Sequence, residues 1–424
     1  MTIVHDLSSA LEDKREEIVA WMAQKRSEID VPIYGSVDIR DAGWKIAVVD
    51  ANQFPAGFNN TSESDLPHLT ERIAAHIERH HPGCQWVHIY PESHTRNQGY
   101  VENLRTLCQL VERAGYRCTI GNPELDGFDA LNGIHGPLPL HQVEVVDDVL
   151  LVQGQQPDFI LLNNDLTDGG LEGLSTKSVL PRPQMGWYQR KKSQHFDFLR
   201  PLVEEISEII GIDPWHLICD SFVSEEKCLE KEACRIQLAS DVDVFLAKLA
   251  QRYAALGIDR EPVAYVKNNR GTYGLGIMTV TSGQQLLNLS NRKMKKLMYG
   301  KGNSDTEDFL IQEGVPTLMQ TDAGAPVEPV VYLVDGDASS WFYRINPKKD
   351  EMGNLNSPSA LFVTSEEDSS FMTHAHNWHA LLSELSMLAM GLEAEALQGE
   401  DVGRQSCHGE ARCCMSSSRA AACA

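Results

Sequence analysis

The sequence predicts an α/β fold, with a mostly parallel αβ domain over residues 1–213 and an α+β domain over residues 214–390. Three observations lead there. In the first half, short apolar runs alternate with amphipathic helical stretches, the grammar of a parallel sheet. In the second half, a strand, a glycine-rich turn and another strand are followed by two strands joined at Asp335–Gly336, a hairpin signal. The 424-residue length exceeds what one core usually serves.

The elements follow in order. Leu11, Ile18, Val19 and Met22 recur at helical spacing among charges, predicting an N-terminal helix. Lys45–Asp50, Gln85–Tyr90, Tyr116–Ile120 and Asp158–Leu162 read as strands. Between the second and third of these, Val101, Leu104, Leu107, Cys108, Val111 and Ala114 share one helix face, and Gly115 stops the helix. From about Pro214 to Leu256 the pattern is helical. The strand–glycine–strand unit covers Val263–Val280, and a lysine-rich helical segment follows over Leu286–Met298. Asp308–Thr317, Glu328–Gly336 and Ser340–Asn346 are extended, and Trp378–Leu392 is a last helix. No internal repeat is present.

Composition excludes several classes of function. A net charge of −23 disfavours a nucleic-acid partner, because phosphate backbones need a basic surface. No apolar run is long enough for a membrane helix, and the N-terminus lacks a signal pattern, so a cytoplasmic protein is expected. Cys84, Cys108, Cys118, Cys219, Cys228 and Cys234 are scattered singly, as reduced thiols would be. Cys407, Cys413, Cys414 and Cys423 sit in a small, polar tail without periodicity. The adjacent Cys413–Cys414 pair lacks zinc-knuckle spacing, and residues 391–424 are expected to be disordered.

Two features point to chemistry. Polar clusters follow three of the first-half strands: Asp50–Asn60, Pro91–Asn97 and Asn163–Asp165. Such residues form turns and caps, but three loops of this kind together also suit a polar small-molecule pocket beyond the strands' carboxyl ends. A basic, aromatic-flanked run, Gly186–Phe196, suits either a carboxylate or a solvated helix face. The second feature is Lys267 followed by Gly271, Gly274 and Gly276. Glycine N–H groups and a lysine charge at a loop mouth suit phosphate oxygens. The spacing fits neither the P-loop nor the dinucleotide fingerprint, and a plain hairpin with a glycine-rich tip accounts for it equally well.

The order of these parts resembles an ATP-grasp ligase: a lysine-ended strand, a glycine-rich flap, a Gln-Glu hinge, a strand pair ending in arginine, and an asparagine-rich loop. More narrowly, Val49–Asn60, Pro91–Asn97, Gly186–Trp187 with the basic run to Phe196, Lys267–Gly276 and Asn354–Asn356 resemble the proteobacterial glutamate–cysteine ligase family of glutathione biosynthesis. The resemblance spans about residues 45–360. It implies an ATP-grasp-like domain over residues 214–390 that uses ATP and Mg²⁺. Lys267 and Arg344 would be catalytic, and Lys267, Gly271, Thr272, Tyr273, Gly274, Gly276, Gln312, Glu313 and Val315 would bind ATP. Glu328, Asn354 and Asn356 are implied metal ligands. Glutamate and cysteine would be recognised in the N-terminal domain by Asn59, Asn60, Glu92, Arg96, Asn97 and Arg190. The implied reaction joins the γ-carboxylate of glutamate to the cysteine amine through an acyl phosphate. A glutathione synthetase-like ligase and a non-catalytic nucleotide-binding protein are the alternatives, and homo-oligomerisation is left open. The resemblance fades beyond Gly391, and Ser359 stands where the family pattern expects glycine.

Overall fold

The computed structural model describes residues 4–93, 96–174, 178–270, 276–298, 308–371 and 376–417. The chain opens with two helices, α1 (Val4–Asp13) and α2 (Arg15–Glu28). On α2, Ile18 and Met22 are buried but Val19 is 61% exposed, so the apolar stripe is narrower than the sequence spacing suggests. Strands β1 (Tyr34–Asp41) and β2 (Ile46–Asn52) follow, then α3 (Leu66–His80), β3 (Trp86–Pro91), α4 (Gln98–Arg113) and β4 (Arg117–Ile120). Two small hairpins come next, β5 (Ala130–Gly133) with β6 (Gly136–Pro139) and β7 (Val143–Val146) with β8 (Val149–Val152). Strands β9 (Phe159–Asn163) and β10 (Val179–Leu180) and helix α5 (Lys192–Ile210) complete this half.

The second half contains β11 (Ser221–Ser224), one long helix α6 (Glu232–Leu256), β12 (Ala264–Asn268) and β13 (Ile277–Val280). Helices α7 (Gln284–Leu287) and α8 (Asn291–Met298) lead to β14 (Phe309–Glu313). Then come β15 (Val327–Val334), β16 (Asp337–Ile345), β17 (Leu361–Thr364) and α9 (His376–Ser417).

The fold is α/β with three main sheets. β10-β9-β3-β4 is fully parallel, as the alternating pattern predicts. β11-β14-β12-β13 is antiparallel and buries its Ala264, Val266, Phe309 and Ile311 face under α6 and α8. β17-β16-β15-β1-β2 is also antiparallel. The Lys45–Asp50 strand therefore belongs to this third sheet and not to the parallel one. β1 pairs directly with β15, so the sheet takes strands from both sides of the expected boundary at residue 213.

The third sheet is covered on both faces. Val37, Ile39, Val331 and Leu333 pack on α2, α5 and α9. On the opposite face Tyr34, Val330, Tyr332 and Phe342 join the core of α3, α4 and the parallel sheet. The β15–β16 turn has both Asp335 (φ 54°) and Gly336 (φ 83°) left-handed, the backbone of a two-residue type I′ hairpin.

Helix α9 runs well past Leu392. Residues 391–398, the beginning of the stretch expected to be disordered, are helical because Glu393 and Leu397 are buried against the first half of the chain. Residues 418–424 lie outside the described residues. Cys84, Cys108, Cys118, Cys219, Cys228 and Cys234 are free thiols. No described helix is long and apolar enough to cross a membrane.

Candidate active site

On one face of β1 the residues Tyr34, Ser36, Asp38 and Arg40 change from apolar to charged along the strand. Where the change occurs, the covering helices give way to the antiparallel sheet of β12. The space between the two sheets is an inner chamber of about 60 Å³ lined by Asp38, Arg40, Asp50, Tyr265, Lys267 and Glu328, with Asn354 and Asn356 at its edge. Alternation decides which β12 residues enter it: Ala264 and Val266 turn to the α6 core, leaving Tyr265 and Lys267 to face the chamber.

The charges in the chamber are paired. Arg344 donates to Asp38 Oδ2 at 2.8 Å and to Glu328, while Arg40 binds the other Glu328 oxygen. Lys192 donates to Asp50 Oδ1 at 2.7 Å, and Lys267 Nζ donates to the Val49 carbonyl at 3.0 Å. Burial opposes ionisation of Asp50, but Lys192, with Lys267 and Arg190, outweighs it and holds this carboxyl below its ordinary range. Burial raises Asp38 despite the nearby Arg344. Lys267 is pushed down to about 8, chiefly by burial, against the attraction of Asp50.

The chamber opens into a cavity of about 490 Å³ that shares Tyr265, Ile277 and Asn354 with it and carries Lys293, Lys296, Lys348 and Lys349. Four exposed lysines against one carboxylate, Asp350, make this hollow locally positive in an acidic chain. Gly276 lies on its wall at φ +68°, and a Cβ there would stand 2.8 Å from Asn268 Cβ. Hollows of about 670 Å³ between α6 and β11 and about 720 Å³ between α2 and α9 contain none of the catalytic, ATP-binding, substrate-binding or metal residues expected from the sequence.

Of those residues, the structure brings Lys267, Glu328, Arg344, Asn354 and Asn356 together, with Gly276 on the adjoining wall. Gly271, Thr272, Tyr273 and Gly274 lie outside the described residues. Gln312 stands opposite Tyr265 in register, and its side-chain amide is buried without a partner. Glu313 is committed elsewhere: Lys45 and Tyr253 bind its carboxylate, and Lys45 also lies 3.7 Å over the Trp215 ring. Val315 packs with Ala42, Ala47 and Cys219.

The N-terminal loops do converge, largely through bonds among themselves. Asn163 Nδ2 donates to the Pro55 carbonyl (2.9 Å), Asn164 Nδ2 to the Pro91 carbonyl (3.0 Å), and the Asp165 N–H to Glu92 Oε1 (2.7 Å). Asn97 caps α4 by accepting from the Tyr100 N–H. Asn59 and Arg96 are exposed, and Asn59 donates to Asn60. In place of a substrate carboxylate, Arg190 holds Glu393 through both oxygens, at 2.7 and 3.0 Å, and is 1% exposed. The expectation that Arg190 receives substrate is corrected on this ground, because Glu393 and the Ala51 carbonyl take its guanidinium, whereas Glu92 accepts from the Asp165 N–H through Oε1. Asp38 and Arg40 were not anticipated from the sequence, and Asp50 and Lys192 only as members of the Asp50–Asn60 loop and the Gly186–Phe196 basic run. The alternation of Ser36, Asp38 and Arg40 with Gly35, Val37 and Ile39 was the available signal for the first two.

The chain matches the glutamate-cysteine ligase (GshA) family over residues 8–390. It belongs to the glutamate–cysteine ligase family. A provisionally assigned gamma-glutamylcysteine synthetase from Methylobacillus flagellatus KT has a similar structure, with a TM-score of 0.85 and 30% sequence identity over 93% of this chain and 96% of that one. A glutathione synthetase-like effector from Globodera pallida covers 86% of this chain and 80% of its own at 10% identity, but its TM-score of 0.35 carries no argument. No curated protein matches the sequence significantly. In this glutamate–cysteine ligase family member the family match ends at residue 390, while α9 continues through the buried Glu393 and Leu397.

Proposed function

We propose that the protein is an ATP-dependent ligase that joins the γ-carboxylate of L-glutamate to the amine of L-cysteine. The observation that carries this reading is the lysine-lined cavity that leads past Lys267 into the chamber of Asp38, Asp50 and Glu328. Asp50 opens the first of the linked N-terminal loops, so a nucleotide's terminal phosphate held at Lys267 would face an acid held by those loops.

A carboxylate does not acylate an amine at neutral pH. A γ-carboxylate oxygen attacks the terminal phosphorus, and the bond to ADP breaks. The cysteine amine then attacks the acyl carbon, loses its proton, and phosphate leaves. Such a transfer asks for positioning and charge neutralisation, which Lys267, Arg344 and the outer lysines supply. Arg344, fixed by Asp38 and Glu328, is a rigid donor. The oxygen donors Asn354 and Asn356 would hold Mg²⁺, which would neutralise phosphate charge there, whereas both Glu328 oxygens are already taken by Arg344 and Arg40. Among the described residues no group of three or more His, Cys, Asp or Glu is arranged to hold a metal. Asn60 and Arg96 remain to meet the amino-acid substrates, while Glu92 and Asn97 hold the loops. We read the unpartnered amide of Gln312 as serving the adenine.

Phosphate release tests the proposal. Release that needs ATP, glutamate and cysteine together is expected. Release with γ-glutamylcysteine and glycine instead would make the protein a glutathione synthetase, and ATP binding without release would make it a nucleotide-binding protein.

A further inference from the structure

A second polar cavity, of about 200 Å³, lies apart from the lysine-lined one. Its lining includes Asp30, Gln53, His76, Arg182, Glu395 and Gln398. Glu328, at the start of β15, borders the inner chamber, whereas Asp335, which holds His76, begins the turn after that strand. At about 3.3 Å per strand residue the two ends are roughly 20 Å apart.

The lining has unmet hydrogen-bonding capacity. Gln53 is 1% exposed, and neither its amide nitrogen nor its amide oxygen has a partner. His76 is equally buried. Its Nδ1 faces the Asp335 carboxylate at 2.9 Å, while its Nε2 has no partner. The side chains of Arg182, partly exposed, and Glu395, exposed, form no ion pair or hydrogen bond among the described residues, and exposed Asp30 reaches only His80 Nε2, at 3.4 Å, so these three are charges that water otherwise solvates, and the unmet buried capacity is that of Gln53 and His76. Buried polar atoms are almost always satisfied. A single water occupies about 30 Å³, well below the volume present here.

We propose that this cavity is a binding site for a small zwitterion of the α-amino-acid class. Arg182 takes the carboxylate, Asp30 and Glu395 take the ammonium group, and Gln53 and His76 serve the remaining polar atoms. The assignment does not rest on the ligase reading, because none of these residues borders the Lys267 chamber.

The test is calorimetry on the full chain with the common L-amino acids other than glutamate and cysteine supplied one at a time, and with acetate and methylamine as half-ligands. At least one amino acid is expected to bind saturably at millimolar concentration or below, with both half-ligands about tenfold weaker or more. Arg182→Ala and Gln53→Leu should each weaken that binding about tenfold or more, and Lys267→Ala should leave it unchanged. Gln53→Leu removes an amide without partners, so its thermal midpoint should hold or rise, and Arg182 is only half-buried, so both variants should fold. The proposal is overturned if no amino acid binds, if acetate or methylamine binds as tightly, if binding survives both substitutions, or if Lys267→Ala abolishes it.

Discussion

Lys267 is the residue on which the proposed chemistry turns. Lys267→Ala removes the inner cation of the phosphate path, and phosphate release should fall by about 100-fold or more; steady-state release rates check this. The lysine's downward shift to about 8 gives a pH signature. Below that value the ammonium is present. Above it the charge is lost, so kcat/KM for ATP should decline with an apparent pKa near 8, and Lys267→Arg should move that decline to higher pH. The same shift bears on stability with a definite sign. Between about 8 and the unperturbed 10.5 the unfolded chain binds more protons at this site than the fold does, so its contribution to stability rises with pH across that window. Arg190 behaves differently. Arg190→Ala leaves buried Glu393 with only His195 Nδ1, 3.5 Å away, beside its carboxylate and should destabilise the protein by about 3–5 kcal/mol in denaturant unfolding, while Arg190→Met with Glu393→Leu should recover most of that loss. Residue types alone marked Arg190 as a basic group available to a ligand. Its partner lies 203 residues away, in a segment that reads as tail, and no local pattern announces the pair.

At the scale of elements, local chemistry was most legible where the backbone needs a particular residue. Asp335–Gly336 marked the β15–β16 hairpin, and both residues adopt the positive φ that the turn requires. Gly336→Val should therefore cost about 1–2 kcal/mol, read as a lower denaturant midpoint, because a β-branched residue resists the left-handed region. The strand–glycine–strand unit likewise formed the antiparallel β12–β13 pair. β1 escaped detection because it is buried on both faces: charged Asp38 and Arg40 are as enclosed as Val37 and Ile39, so the polar positions did not read as an outward face. α9 outran its expected end because tertiary contacts hold its Glu393–Leu397 turn where composition suggested none. A chain truncated after Met390 should accordingly lose thermal stability, in a calorimetric scan, by at least as much as Arg190→Ala does.

At the scale of the whole molecule, the α/β class was legible from alternation and length, but the way the halves join was not. Strand pairing between distant segments leaves no mark on either segment alone. β1 and β2 complete a sheet whose other strands lie beyond residue 326, so halves expressed separately as 1–213 and 214–424 should each lack native secondary structure by circular dichroism and regain it only when mixed, if at all. The candidate site inherits this arrangement, since Asp38 and Asp50 come from the first half and Lys267, Glu328 and Arg344 from the second. The β1–β15 pairing also has a consequence during synthesis. Val37 leaves the ribosome roughly 290 residues ahead of its partner Val331, an interval of about 15–60 s at ordinary translation rates. For that time β1, with Val37 and Ile39 on one face, has an unsatisfied edge open to neighbouring nascent chains. Yield of soluble protein should thus depend on chaperone supply and on the pace of translation, even for variants whose finished fold is unchanged.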